Sequence, residues 1–123
     1  MLKFMVVLYR RTDMTEAGFR THLRDIHGPL AMKLPGLRRY IQDYPADDGK
    51  RKAPAWDAIV ELYWDDWAAM EKAWASAEGA ASDADLELFV DLERTAWSVI
   101  EPLEGDIESA TSRVKGGGKE PSA

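Results

Sequence analysis

Two segments of this chain are apolar on both of their alternating faces, and this restricts what it can fold into. Residues 3–10 read KFMVVLYR and residues 55–64 read AWDAIVELYW. Both are rich in β-branched and aromatic types, which predicts strands. Successive strand side chains point to opposite faces. Phe4, Val6 and Leu8 therefore share one face of the first strand, and Met5, Val7 and Tyr9 the other. In the second, Ala58, Val60 and Leu62 oppose Ile59 and Tyr63. A sheet with one wet face alternates apolar with polar residues. These strands do not, so both faces of their sheet need cover.

Helices supply one cover. Thr15 is a good N-cap, with Glu16 favourable at the positive end of the helix that follows. That helix carries Phe19, Leu23, Ile26, Leu30 and Leu34 on one stripe. Pro29 lies inside it and has no N–H for the carbonyl of Asp25, which predicts a kink or a helix end. Leu34-Pro35-Gly36 reads as a turn, residues 37–44 (LRRYIQDY) as a strand and residues 45–54 as a polar loop. Asp65-Asp66 caps a helix bearing Trp67, Met70 and Trp74. Residues 76–81 are expected to break it, with a short helical piece from Ser82 or Asp83 through Leu86, Phe89 and Val90. Residues 94–101 (RTAWSVIE) are the last strand.

The order β-α-β-β-α-(α)-β predicts an α+β, ferredoxin-like βαββαβ fold: an antiparallel four-stranded sheet with helices on one face. The simplest cover for the second apolar face is a second copy, so a homodimer is expected. Alternation assigns Phe4, Val6, Leu8, Leu37, Ile41, Ala58, Val60 and Leu62 to the helix side. It assigns Met5, Val7, Tyr9, Tyr40, Gln42, Tyr44, Asp57, Ile59, Glu61, Tyr63, Thr95, Trp97 and Val99 to a cavity between two sheets. Residues 1–101 form the expected domain; residues 102–123, polar and ending GGGKEPSA, are expected to be a flexible tail.

Composition narrows the partners. The net charge is −6, which argues against nucleic acid or an anionic membrane. The charge is divided: residues 1–52 carry a net +5 and the rest a net −11. This describes either an ordinary surface of two signs, or a basic patch with Arg38 and Arg39 that meets an acidic surface or an anionic ligand. The chain has no cysteine, so disulfides and thiol chemistry are absent and a cytoplasmic location is expected. The apolar run in MLKFMVVLYRR is too short for a signal sequence or a membrane span.

The candidate chemistry centres on the histidine before the proline. His27 falls at the edge of the helical stripe, half in an apolar layer. Two roles are open to it: proton carrier near neutral pH, or structural partner of the carbonyl freed by Pro29. His22 lies on the opposite edge and reads as a surface residue. Two histidines at i and i+5 do not share an α-helical face and no third ligand is evident, so no metal is expected. The glycines near the C-terminus follow no strand and open no helix, so no phosphate loop is present. The chain calls for no cofactor. Asp57 and Glu61 share a face of the third strand; either a raised pKa makes one a base, or they pair with arginines such as Arg39. Tyr40 either orients a ligand or fills the sheet interface. Trp56, Trp64, Trp67, Trp74 and Trp97 read mainly as core and interface.

The run from Met1 to Tyr44, with HGPLAMKLPGLRRYIQDYP at its end, resembles the EthD family of dimeric α+β barrel proteins. WDAIVELYWDDWAAM, ASAEG and FVDLERT add to the match, which spans roughly residues 2–101. The resemblance implies a dimeric α+β barrel. It carries the family histidine onto His27, the tyrosine after the PG turn onto Tyr40, the third-strand aspartate onto Asp57 and the FVD carboxylate onto Asp91. Related folds serve cofactor-free monooxygenases, isomerases, cyclases and haem-degrading enzymes, so fold does not choose the reaction. By that analogy alone a haem would be ligated by His27. The expectation is a cofactor-free enzyme of isomerase, decarboxylase or monooxygenase type, acting by proton transfer on a small hydrophobic, oxygenated or aromatic metabolite. His27, Tyr40 and Asp57 would be catalytic; Tyr9, Gln42, Glu61, Tyr63 and Trp97 would hold the substrate. The alternative is a non-catalytic ligand-binding or accessory protein of a degradation or biosynthetic pathway.

Overall fold

The computed structural model describes residues 1–108. Its elements are β1 (Leu2–Leu8), α1 (Glu16–His22), a π-helical turn (Leu23–His27), α2 (Gly28–Ala31), β2 (Arg39–Asp43), β3 (Ala58–Trp64), α3 (Trp67–Trp74), α4 (Ala77–Leu86) and β4 (Ala96–Ile100). The strands form one antiparallel sheet in the order β2-β3-β1-β4. This is the expected ferredoxin-like α+β topology. No helix among the described residues is long and apolar enough to cross a membrane.

Local chemistry sets the helix starts. The Thr15 hydroxyl accepts from the Gly18 N–H at 3.0 Å, and the Asp66 carboxylate from the Ala69 N–H at 2.8 Å. Ser76 accepts from the Gly79 N–H, so α4 begins there and not at Ser82 or Asp83. The expected break over residues 76–81 shrinks to the junction of Ala75 and Ser76. A side chain on Gly79 would run into the carbonyls of Ala73 and Trp74, so glycine lets α4 fold back against the end of α3.

The helix around Pro29 neither stops nor breaks. Its middle widens by one residue: the Gly28 N–H donates to the Leu23 carbonyl, an i→i+5 bond. The wider turn resets which residues face inward. Phe19, Leu23, His27, Ala31 and Leu34 are buried, while Ile26 turns out and is half exposed.

The core lies between the helices and one sheet face. Val6 and Leu8 of β1 meet Ala58, Val60, Leu62 and Trp64 of β3, with Phe19, Leu23, Met70 and Phe89 above. The Val, Leu, Phe and Met side chains among them each contribute about 1.5–3 kcal/mol by leaving water. The register corrects the face assignment of two strands. Tyr40 pairs with Leu62 and Gln42 with Val60, so both lie on the helix side. Ile41 pairs with Glu61 on the opposite face. Trp97 opposes Val6 and Val99 opposes Phe4, so these also face the helices. Alternation misassigned β2 because its helix-facing residues are polar but satisfied by hydrogen bonds.

The other face carries Lys3, Met5, Val7, Ile41, Asp43, Ile59, Glu61, Tyr63 and Ile100, all half-buried. Lys3 Nζ reaches Glu61 at 2.8 Å, and the Tyr63 hydroxyl donates to Glu61 at 3.0 Å. Asp43 and Glu61 influence each other's ionisation across β2 and β3. A hydrogen bond from Asp43, followed by Lys3, brings Glu61 down to about 2, while Asp43 is pushed up. Of the tail, residues 102–108 are exposed and residues 109–123 lie outside the described part.

Candidate functional site

A pocket of about 420 Å³ lies between the sheet and the helices. Phe4, Val6, Leu8, Val60 and Leu62 make its floor; Ala31, Met70, Trp74 and Leu86 roof it. His27, Tyr40 and Ser82 are the polar groups within this apolar wall. Exposed Trp67, Glu71, Asp83 and Trp97 stand where it meets solvent. An apolar recess with few convergent polar groups suits a small molecule.

His27 is 6% exposed. Its Nδ1 lies 2.9 Å from Asp85 Oδ2. With the carboxylate accepting, the proton sits on Nδ1 and Nε2 is the basic nitrogen of a residue that lines the pocket. Burial lowers the His27 pKa below its usual value, partly opposed by Asp85. The ring is therefore neutral at neutral pH, with one basic nitrogen and a buried carboxylate behind it. This is the pairing that orients an imidazole for general-base work.

Asp85 holds a second imidazole. His22 Nε2 lies 3.1 and 3.0 Å from its two oxygens. His22 is thus not the surface residue its helical position suggested; its side chain is 14% exposed. The π-helical turn is the reason. An extra residue in the turn brings positions i and i+5 toward one face, where an α-helix would part them. Phe89, fully buried, is the platform under both rings, stacked on His22 at 4.2 Å and tilted against His27 at 5.3 Å.

Tyr40 is positioned by Gln42. The Gln42 amide donates to the Tyr40 hydroxyl at 3.0 Å and to the Leu23 carbonyl at 2.9 Å. Its carbonyl accepts from the Tyr44 hydroxyl at 2.7 Å. The Tyr40 oxygen is thereby occupied as an acceptor, and its proton is free to be donated to a ligand. Burial pushes the Tyr40 pKa up to about 12, so the hydroxyl stays protonated. Gln42 also ties β2 to the widened turn that carries His27. Gly28 makes room for this: a Cβ there would sit 2.8 Å from Gln42 Nε2 and 3.1 Å from the Leu23 oxygen.

Of the remaining expected site residues, Asp57, Tyr9, Glu61 and Tyr63 lie outside the pocket. Asp57 accepts from the Arg10 backbone N–H at 2.9 Å and from Arg10 Nε at 3.2 Å, so it is an arginine partner at the start of β3. Tyr9 lies under the Arg94 guanidinium, 4.2 Å from its ring centre. Glu61 and Tyr63 are on the opposite sheet face. Trp97 lines the pocket, whereas Gln42 acts behind Tyr40. Asp91 accepts from Thr95 through its carbonyl. Sequence reasoning missed Asp85, which carries no local motif and meets His27 only across 58 residues.

Among the described residues no group of three or more His, Asp or Glu side chains could hold a metal ion. A haem on His27 does not fit. Its carboxylates would need cations, and the described lining residues include Glu71 and Asp83 but no Lys or Arg.

Comparison with known proteins agrees with this architecture. The family model of the EthD domain matches residues 11–93. An EthD family protein from Bacillus halodurans C-125 is 25% identical, covering 84% of this chain and 100% of its own, with a TM-score of 0.69. A dimeric ferredoxin-like protein of unknown function from Thermobifida fusca is 13% identical, covering 82% and 90%, with a TM-score of 0.63. SnoaB, a cofactor-independent oxygenase from Streptomyces nogalater, is 13% identical, covering 85% and 94%, with a TM-score of 0.58. No curated protein matches the chain.

Proposed function

The chain belongs to the EthD family, and from that premise we propose that it is a homodimeric enzyme whose own side chains transfer a proton on a small hydrophobic, oxygenated metabolite. The observation that carries this reading is His27: a buried imidazole, oriented by Asp85, facing an apolar pocket that also holds a protonated Tyr40. His27 Nε2 takes a proton from a carbon next to a carbonyl. The C–H electron pair moves into the carbonyl, and the resulting enolate oxygen accepts from the Tyr40 O–H. His27 then returns the proton, to the same carbon or to another. Proton abstraction of this kind opens isomerisation and oxygenation. The half-buried apolar face of Met5, Val7, Ile41, Ile59 and Ile100 supports dimerisation, as does the dimeric relative.

The test uses 1-tetralone, a flat ketone with exchangeable C–H groups, in deuterium oxide. Wild type should speed deuterium uptake at the α-carbon, followed by NMR. His27→Ala should slow that catalysis about 10²- to 10⁴-fold while retaining the ligand. Binding without faster exchange in the wild type would make the pocket a carrier's, as in a non-catalytic accessory protein.

A further inference from the structure

We propose that the pocket selects uncharged molecules and turns carboxylates away, so that negative charge arises inside it only during the reaction. This deepens the reading above and rests on the same pocket. The first observation is the sign of its lining. Glu71 and Asp83 stand at the opening, and Asp85 lies behind His27. Among the described residues that line it, none is Lys or Arg. A carboxylate entering would lose its water and meet two like charges with no cation to pair.

The second observation is the floor. Val6, Leu8, Val60 and Leu62 offer no donor or acceptor from their side chains. Glu71 and Asp83 are solvent-exposed, so at the opening they attract a cation only as modestly as they repel an anion, and for either ion the loss of water in the floor is the larger cost. Deeper in, a cation too would be stripped of water without compensation. A neutral molecule pays neither cost, and the three indoles of Trp67, Trp74 and Trp97 favour a flat, apolar one.

The third observation is the chemistry. Moving a proton from a neutral ketone to His27 creates an enolate and an imidazolium together. The pocket's net charge does not change in that step, and the new charges are opposite in sign. A substrate already anionic would place a second negative charge beside the enolate. The arrangement of His27 and Tyr40 balances one anion and no more.

The test is calorimetric binding near neutral pH of three probes of similar shape: methyl 1-naphthoate, 1-naphthoate and 1-naphthylmethylammonium. The ester should bind at least about tenfold more tightly than either ion. The doubly substituted Glu71→Gln, Asp83→Asn protein should narrow the gap between ester and naphthoate by about threefold or more. Both residues are exposed, so the fold should tolerate the changes. Naphthoate binding as tightly as the ester, or the ammonium binding more tightly, would overturn the proposal. An ester preference in a protein that fails to exchange 1-tetralone would uphold it while removing the catalytic reading. Absence of binding by all three probes would overturn both.

Discussion

Replacing Asp85 by asparagine separates an oriented base from a merely buried imidazole. Asp85 is 8% exposed and accepts from both His27 and His22 at 2.9–3.1 Å. Each hydrogen bond to a charged group contributes about 1.5–3 kcal/mol. The amide can accept through one oxygen only, so its NH₂ must face one of the two rings or turn away. Where it faces His27, it donates to Nδ1 and forces the proton onto Nε2. The basic nitrogen then points at the introduced amide and not at the pocket. Removal of a buried charge offsets part of the lost bonding, so the net destabilisation should be about 1–3 kcal/mol. The loss in proton transfer should be larger, about 10³- to 10⁴-fold, because the wrong tautomer predominates.

Long-range ¹H–¹⁵N NMR reads the tautomer directly. Wild type should show His27 protonated on Nδ1, and Asp85→Asn should show a shift to Nε2. The His27 pKa should fall further in the variant, since Asp85 is the main influence that raises it against burial. A variant that keeps the Nδ1–H form, or whose His27 becomes more basic, would refute the reasoning.

Three further outcomes follow from particular contacts. Gly28→Ala puts a Cβ 2.8 Å from Gln42 Nε2, so melting should show a loss of about 1–3 kcal/mol and the Tyr40 hydroxyl should lose its donor; an unchanged melt would mean that β2 shifts freely. Stability should fall in mild acid: the His27 pKa is lower folded than unfolded, so the unfolded chain binds more protons and stability, full above about pH 6.5, declines as pH drops below it. Urea midpoints at about pH 7.5 and 5.5 should differ less in His27→Gln; the loss from Glu61 falls at lower pH, between its usual value of 4.5 and about 2. Ile59→Arg, on the sheet face away from the helices, should leave a folded monomer in sedimentation, where wild type should run at twice 13.8 kDa; a dimeric variant would place the interface elsewhere.

The sheet and its order were legible because strands announce themselves through β-branched runs and turns. The caps at Thr15 and Asp66 were legible because their chemistry is local. Half of the candidate site was legible too: His27 and Tyr40 stood out by residue type and by the PG turn between them. The phase of β2 was not. A polar residue on a strand reads as facing water, yet Tyr40, Gln42 and Tyr44 face the helices and satisfy one another. Pairwise hydrogen bonding in three dimensions does not register in a one-dimensional alternation. Asp85 was hidden for the same reason: one carboxylate in the AEGAASDADL helix looks like its acidic neighbours until the fold lays it against two histidines.

The deeper miss was geometric, and it joins these failures into one. A regular α-helix over this segment puts Ile26 inside, sets His22 and His27 on separate edges and makes Pro29 the place where the helix kinks or ends. The chain instead admits one extra residue, and the Leu23 carbonyl takes both the Gly28 N–H and the Gln42 amide. The cost of a missing proline N–H is thereby spread over a wider turn rather than a break. That single insertion turns Ile26 out, turns His27 in, brings His22 round to the same carboxylate and gives Gln42 its anchor. Returning the turn to α-helical spacing would undo all four at once. The histidine, the glycine and the proline of the His27-Gly28-Pro29 motif are thus parts of one device: the proline forces the wide turn, the glycine admits the clasp, and the histidine is what the turn delivers to the pocket.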